Sequence, residues 1–440
     1  GLVAAPVVCA APLAAQSTPL TLAEAVRIAV DHSPEMGQSE HRALAVEAAR
    51  DQAARQWLPR LSIEGVAGVR HLENDRRIAL GLSARDEKPL YASVNVDQPV
   101  FDMGRRINEK RSQQARADAA WAAFDTAGEA TAYNVARAYL EVLLYERLFA
   151  TATENLAFHD QIAADMRLGV SQGAMSIAER QQADERRQQA RIALTEAQDD
   201  LQGARNQFAA LVGTLGGALT MPADPPAALM PATVEDTVAT VTAGSTRVKE
   251  AERLLAAAEA ARRRTQADLG PSVDLRGTAR TGSDFDGYGG RTRDYSATAV
   301  LRWSVWDGGV TAARVREAGH RVEEERFGLI EAQRDAEKNA RNTWLKLVTW
   351  RAKLTEQEGR STIAADVLFS YRAQFGIGRR SLLDVLDAQS ARYNAQSQVE
   401  VSRFGTLLAQ YEVLALANRL REHFGVPTGR ESVVGPYGPQ

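Results

Sequence analysis

The sequence predicts a mixed α and β membrane protein built from two internal repeats, each running helix, strand hairpin, long helix, helix. Three observations predict it: turn syntax recurring at a fixed offset, two regions where the apolar period drops to two, and helical patterns too long for a compact domain. In the stretch Phe375 to Gln389, Gly376 and Gly378 break one helical pattern. Ser381, with Asp384 three residues later and a Leu, Val and Ala run behind it, opens the next as a capping box. Gly173, Ser176 and Glu179 repeat that syntax 205 positions earlier, and Pro99 to Gly104 pairs with Ser304 to Gly309 at the same offset. Pro59 with Pro271, and Thr21 with Thr233, are offset by 212 instead, so the two strand loops differ by seven residues. A repeat of this size fixes the frame for every element inside it.

Composition sets further bounds. The 440 residues carry a net charge of −3 with acids and bases intermixed, which gives no footprint for nucleic acid. Six scattered His and one Cys exclude the usual metal-ligand clusters and any intrachain disulfide, so no metal and no cofactor is expected. Residues 1–15 are apolar and small, reading as a signal-peptide remnant with cleavage after Ala15. Cys9 is the alternative, a lipid-anchored cysteine, but Val8 before it is bulky for that processing. No stretch has the 18 or more apolar residues of a spanning helix, so a membrane would have to be crossed by strands. The expected division is 16–220 for the first repeat, 221–232 for a Pro- and Ala-rich linker, 233–426 for the second repeat and 427–440 for a flexible Gly- and Pro-rich tail.

In chain order, Thr21 to about Trp57 reads as two Ala-rich helices split at Ser33-Pro34. From Arg60, residues Leu61, Ile63, Gly65, Ala67 and Val69 alternate with polar neighbours, and so do Leu90, Ala92, Val94 and Val96. His71 to Lys88 between them reads as a charged loop. The second hairpin alternates more cleanly, Val273, Leu275, Gly277 and Ala279 against Tyr295, Ala297, Ala299, Leu301, Trp303 and Val305. The hairpins therefore occupy about 60–101 and 271–306. One apolar and one charged face fits a sheet on a soluble core or a barrel with lipid outside and water inside. Tyr91, Phe101, Tyr295, Trp303 and Trp306 near strand ends favour the barrel, as membrane-interface anchors.

Long helical patterns follow each hairpin: Gly104 to Gly169, Ser176 to Leu211, Gly309 to Phe375 and Ser381 to Phe424. Sixty-odd helical residues reach about 100 Å. Their thin apolar seams suit a coiled coil or the wall of a hollow helical cylinder. The chain supplies four strands, fewer than the smallest membrane barrel holds, so a barrel must be shared among copies, two or three of them.

The repeat, the hairpins, Phe/Trp-Asp-x-Gly at Phe101 and Trp306, and the turn Gly378 to Gln389 resemble the TolC family of outer-membrane channel-tunnel proteins over about Thr21 to Phe424. The resemblance implies a homotrimer in the bacterial outer membrane, its twelve-stranded β-barrel continued into the periplasm by a long α-helical barrel. It also implies a passive conduit working with a periplasmic adaptor protein and an inner-membrane transporter. By motif, Arg380 would be the basic gate residue, Asp384 and Asp387 the pore acids and Glu179 the acid of the first copy, with Gly173, Ser176, Gly378 and Ser381 shaping the tips that meet the adaptor. Phe375 stands where the family pattern often has Tyr, so a gate hydrogen bond would be missing. Threefold repetition crowds like charges in a narrow pore, which favours cations.

Plainer roles compete. Asp384 and Glu179 suffice as capping-box members, and Arg380 as a solvated tip charge. Asp387 lies beyond the reach of a cap, on the same helix face as Asp384. His159, His320 and His423 read as solvated helix positions, Glu323 to Glu325 as a solvated face, and Gly287 to Gly290 as a hairpin turn. No nucleophile has a base beside it, so no enzyme is expected. The compact Arg380-to-Gln389 turn looks closest to the type I secretion branch, exporting a toxin-like protein with an ABC transporter. A drug or metal efflux channel is the alternative, and a periplasmic coiled-coil scaffold without a pore is the third.

Overall fold

The computed structural model describes residues 19–73, 75, 79, 81, 85–213, 217–286 and 290–430. The signal-peptide remnant with Cys9, Gly287 and Gly289 of the second strand loop, and 431–440 of the tail lie outside the described residues. The elements in order are α1 (Leu22–His32), α2 (Pro34–Arg55), β1 (Arg60–Ala67), β2 (Arg70–Leu72), β3 (Arg85–Glu87), β4 (Leu90–Phe101), α3 (Arg105–Ser171) and α4 (Ile177–Val212). A 3-10 turn at Ala227–Leu229 precedes α5 (Val234–Gly244), α6 (Thr246–Ala267), β5 (Ser272–Ser283), β6 (Arg291–Arg302), α7 (Val310–Gly376), α8 (Leu382–Leu416) and α9 (Leu420–His423). The repeat is visible in the lengths: 11 residues in α1 and α5, 22 in α2 and α6, and 67 in α3 and α7.

The chain forms two compact units, and each takes elements from both halves. One comprises Gly1–Gln38, Phe124–Thr246 and Arg334–Gln440; the other comprises Ser39–Ala123 and Arg247–Gln333.

In the first unit, Leu22 and Val26 of α1 pack on Val135, Tyr139 and Val142 of α3, Phe208 of α4, and Leu407 and Tyr411 of α8. The Tyr139 hydroxyl donates to the Thr220 carbonyl at 2.6 Å and accepts from the Thr220 amide at 2.9 Å, tying the end of the first half to its middle. Thr21 opens α1 with a complete capping box to Glu24, and Thr233 caps α5 through the Asp236 amide. One helix predicted as continuous to Phe424 is broken. It ends at Leu416, Asn418 takes φ +56°, and α9 follows. Asn tolerates that left-handed conformation as few residues do, so the break has a local cause.

In the second unit, β1, β4, β5 and β6 form one antiparallel sheet in the order β1-β4-β5-β6. Pairing of Leu61 with Val96, Val96 with Gly277 and Gly277 with Ala297 keeps the predicted apolar positions in one row and the charged ones in the other. The expectation for 71–88 needs correction: Arg70–Leu72 pairs with Arg85–Glu87 in a second, two-stranded sheet, joined side chain to side chain by Arg70–Glu87 at 2.7 Å. The strand β6 also stops at Arg302, three residues earlier than its alternation suggests, so Trp303 and Trp306 lie beyond it. The register separates the expected aromatic anchors: Tyr295 and Phe101 lie in the apolar row, whereas Tyr91 lies in the polar row under the Arg280 guanidinium.

The Asp-x-Gly turns are helix starts. Asp102 accepts from the Arg106 amide at 3.2 Å and its Nε at 2.7 Å, and Asp307 accepts from the Thr311 amide at 2.9 Å. Each carboxylate satisfies otherwise orphaned helix donors. Gly104 (φ +82°) and Gly309 (φ +85°) take the left-handed conformation that the turn requires.

Candidate functional site: the paired hairpin tips

All the residues predicted to gate the channel lie at two hairpin tips, α3 to α4 and α7 to α8, within the first unit. Gly173 (φ +72°) and Gly378 (φ +73°) make the two turns, while Gly376, predicted as a second breaker, is the last helical residue of α7. Both tips close with complete capping boxes. Ser176 Oγ accepts from the Glu179 amide at 3.1 Å, and Glu179 accepts from the Ser176 amide at 2.8 Å. Ser381 and Asp384 do the same at 3.2 Å in each direction. These bonds from the Ser381 hydroxyl and amide, helped by Arg380, hold the Asp384 carboxyl below the usual range.

Arg380 is pinned on three sides. Its guanidinium stacks 4.2 Å from the Tyr371 ring centroid, Nε donates to Gln374 at 3.1 Å, and Nη1 stands 3.7 Å from Asp384. Phe375 does not face open solvent as a lone gate residue would. It is half-buried and packs against Leu368, Leu382 and Leu386, on a cluster shared with Ile162, Ala163 and Met166 of α3 and Ala183 of α4. This apolar seam joins the two hairpins.

Polar links cross the same seam. Gln389 Nε2 donates to Asn155 Oδ1 at 2.8 Å with both residues buried. Arg186 of α4 meets Asp387 of α8 at 3.0 Å. Asp387 is thus paired across hairpins, while Asp384 and Glu179 are engaged in their own caps. His159, expected on a solvated face, is instead buried beside the Phe158 ring, with no partner for Nδ1 among the described residues. Burial, with Arg186 next, depresses its pKa below the ordinary value against the opposing pull of Asp160. His423 is half-buried against Tyr411 and Phe424, and His320 is exposed as expected.

Sequence reasoning missed Arg186, Asn155 and His159. None has a motif around it. The roles of Arg186 and Asn155 arise from neighbours 201 and 234 positions away, and the surroundings of His159 include Arg186 of α4, none of which periodicity registers.

The outer membrane efflux protein family matches the chain twice, over residues 25–214 and 239–425, once in each half. The chain belongs to this family. This outer membrane efflux protein is 24% identical over 333 residues to the outer membrane efflux protein BepC of Brucella suis, covering 74% of the chain and 72% of BepC. It is 29% identical over 164 residues to the alkaline protease secretion protein AprF of Pseudomonas aeruginosa, covering 37% of the chain and 32% of AprF. A solved membrane protein from Pseudomonas aeruginosa superposes with a TM-score of 0.82 at 18% identity, over 94% of this chain and 92% of that one. The chain is therefore a TolC-type channel protein of the outer membrane, extending into the periplasm, and its relatives are conduits rather than enzymes.

Proposed function

We propose that three copies assemble into a passive exit duct, their four-stranded sheets closing a twelve-stranded barrel above a helical tunnel. The observation that carries this is the sheet itself. Its outer strands β1 and β6 each have one pairing edge without a strand among the described residues, and its apolar row is bare, with Ile63 76% and Tyr295 75% exposed. Open edges and an exposed apolar face are stable when neighbouring sheets pair with the edges and lipid covers the face. A coiled-coil scaffold leaves both unexplained.

The tips are the periplasmic entrance in this reading, contacting an adaptor through the turns at Gly173 and Gly378 and gated by Arg380, Asp384, Asp387, Glu179 and Phe375. Export of a protein by a type I system, with an ABC transporter behind the adaptor, is supported by the likeness to AprF. The likeness to BepC covers twice as much of the chain and favours small-molecule efflux as the second reading. Planar-bilayer recording of detergent-purified protein tests the duct: discrete cation-selective openings are expected, and a folded protein that never conducts in any condition argues for the scaffold. Deleting the gene separates the two cargoes. Loss of a secreted protein from the medium supports secretion, and drug or metal hypersensitivity with an unchanged medium supports efflux.

A further inference from the structure

The apolar row of the sheet ends in two arginines. On β6 the row Leu301, Ala299, Ala297 and Tyr295 continues through Arg293 and Arg291, which lie opposite Thr281 and Ser283 of β5. This is the end of the sheet where the chain turns back, opposite the end from which the helices leave. Both arginines are exposed, and neither makes an ion pair or side-chain hydrogen bond among the described residues.

Three of the four arginines of the polar row differ, Arg60 at the start of β1 being the fourth. Arg276 pairs with Asp97 at 2.7 Å, Arg302 pairs with Asp274 at 2.5 Å, and Arg280 stacks over Tyr91 and Phe285 at 5.0 and 5.5 Å. Arg291 and Arg293 thus stand on the face suited to lipid, at its end, with no partner among the described residues. Arginine on a lipid-facing strand is tolerated near the interface, where headgroups supply counter-charge. Beside the pair lies a shallow depression of about 620 Å³, lined by Arg291, Leu90 and small residues of this row, with Val66, Tyr91 and Gly282 of the other row also contributing. Its mostly small side chains leave room for the body of a lipid.

We propose that Arg291 and Arg293 bind the phosphate groups of lipid A-type glycolipids in the outer leaflet, with the depression receiving the sugar or an acyl chain. Two residues apart on one strand, the guanidinium groups rise from backbone points about 7 Å apart. Each presents the planar donor fork that matches a phosphate. The inference rests on the barrel reading, since only a lipid-facing row brings these residues to the leaflet.

The test is native mass spectrometry of the purified full chain with lipid A, with lipid A stripped of its phosphates, and with inorganic phosphate as competitor. Single-channel recordings are made on the same preparations. Lipid A adducts are expected on the native protein, reduced about ten- to a hundredfold in Arg291→Ala/Arg293→Ala and unchanged in Arg276→Ala on the opposite row. Stripped lipid is expected to bind weakly, and millimolar phosphate not to compete. Equal lipid A binding by native protein and double variant, both conducting, overturns the site while the barrel stands. Displacement by free phosphate overturns the lipid as ligand. A native protein that neither conducts nor forms trimers overturns the barrel, and the site with it.

Discussion

Arg186 and Asp387 stand 201 positions apart in the chain and 3.0 Å apart in space, and they fasten the first hairpin to the second. The pair is partly solvated, so it contributes about 0.2–1 kcal/mol to holding the two hairpins together. Arg186→Ala or Asp387→Ala is expected to raise channel open probability by about fivefold at most, with little change in Tm. Single-channel recording beside calorimetry checks both halves. If Asp387 also lines the pore, Asp387→Ala abolishes block by divalent cations and Arg186→Ala does not.

The two glycines of the second tip separate cleanly. A Cβ at Gly378 meets open space, so Gly378→Ala costs only the left-handed backbone strain, about 1–2 kcal/mol. Gly376 is helical and equally open, and Gly376→Ala is expected to be neutral or stabilising by up to about 1 kcal/mol. Urea unfolding of the two variants gives opposite signs.

Burial keeps His159 neutral in the fold, its pKa below that of the unfolded chain. The stability this neutrality retains is present above about pH 6.5 and is lost as pH falls through the depressed folded value. Charges facing it are Arg186, which disfavours protonation, and Asp160, which favours it and is itself paired with Arg187. Native protein is expected to lose more thermal stability between pH 7 and pH 5 than His159→Gln does. Equal losses would assign the acid sensitivity elsewhere.

Much of the fold was legible because its signals are local. Two glycine turns, two Ser-x-x-acid boxes and two alternating hairpins each declare themselves within a dozen residues, and their common offset joined them into a repeat. The short β2–β3 pair was missed because Arg70, His71, Asp86 and Glu87 are charged and too few to show a period. The break at Asn418 was missed because one Asn within a strongly helical run is too weak a signal to end a helix, although it permits the left-handed turn. At the site, the caps were readable and the seam was not. Whether Asp387 meets water or Arg186, and whether His159 is buried, depends on which helices lie side by side.

Arg421 is fully buried and reaches Asp125 at 2.5 Å, while Glu129 accepts from the amides of Leu420 and Arg421 at 3.1 and 3.2 Å. Gly128 makes the space, since a Cβ there would overlap the guanidinium. Gly128→Ala is expected to destabilise by about 3–5 kcal/mol, because displacing Arg421 strands buried carboxylates. Burial outweighs these bonds and pushes the Glu129 pKa up to about 7. A raised carboxyl pKa contributes stability below about pH 4.5 that is lost as pH rises through about 7, the opposite sense to His159. Glu129→Gln should flatten the alkaline arm of the stability profile, which a Tm series from pH 5 to pH 9 reads directly.

The same cluster bears on the order in which the molecule matures. Arg421 lies 292 positions after Glu129, so a growing chain displays both acids long before their counter-charge exists. Contacts so remote in sequence close late and slowly. Any chain that stops short of Arg421 lacks the guanidinium that meets the half-buried Asp125 and the buried Glu129. The clasp thus makes completion of the first unit depend on α9, the last helix among the described residues.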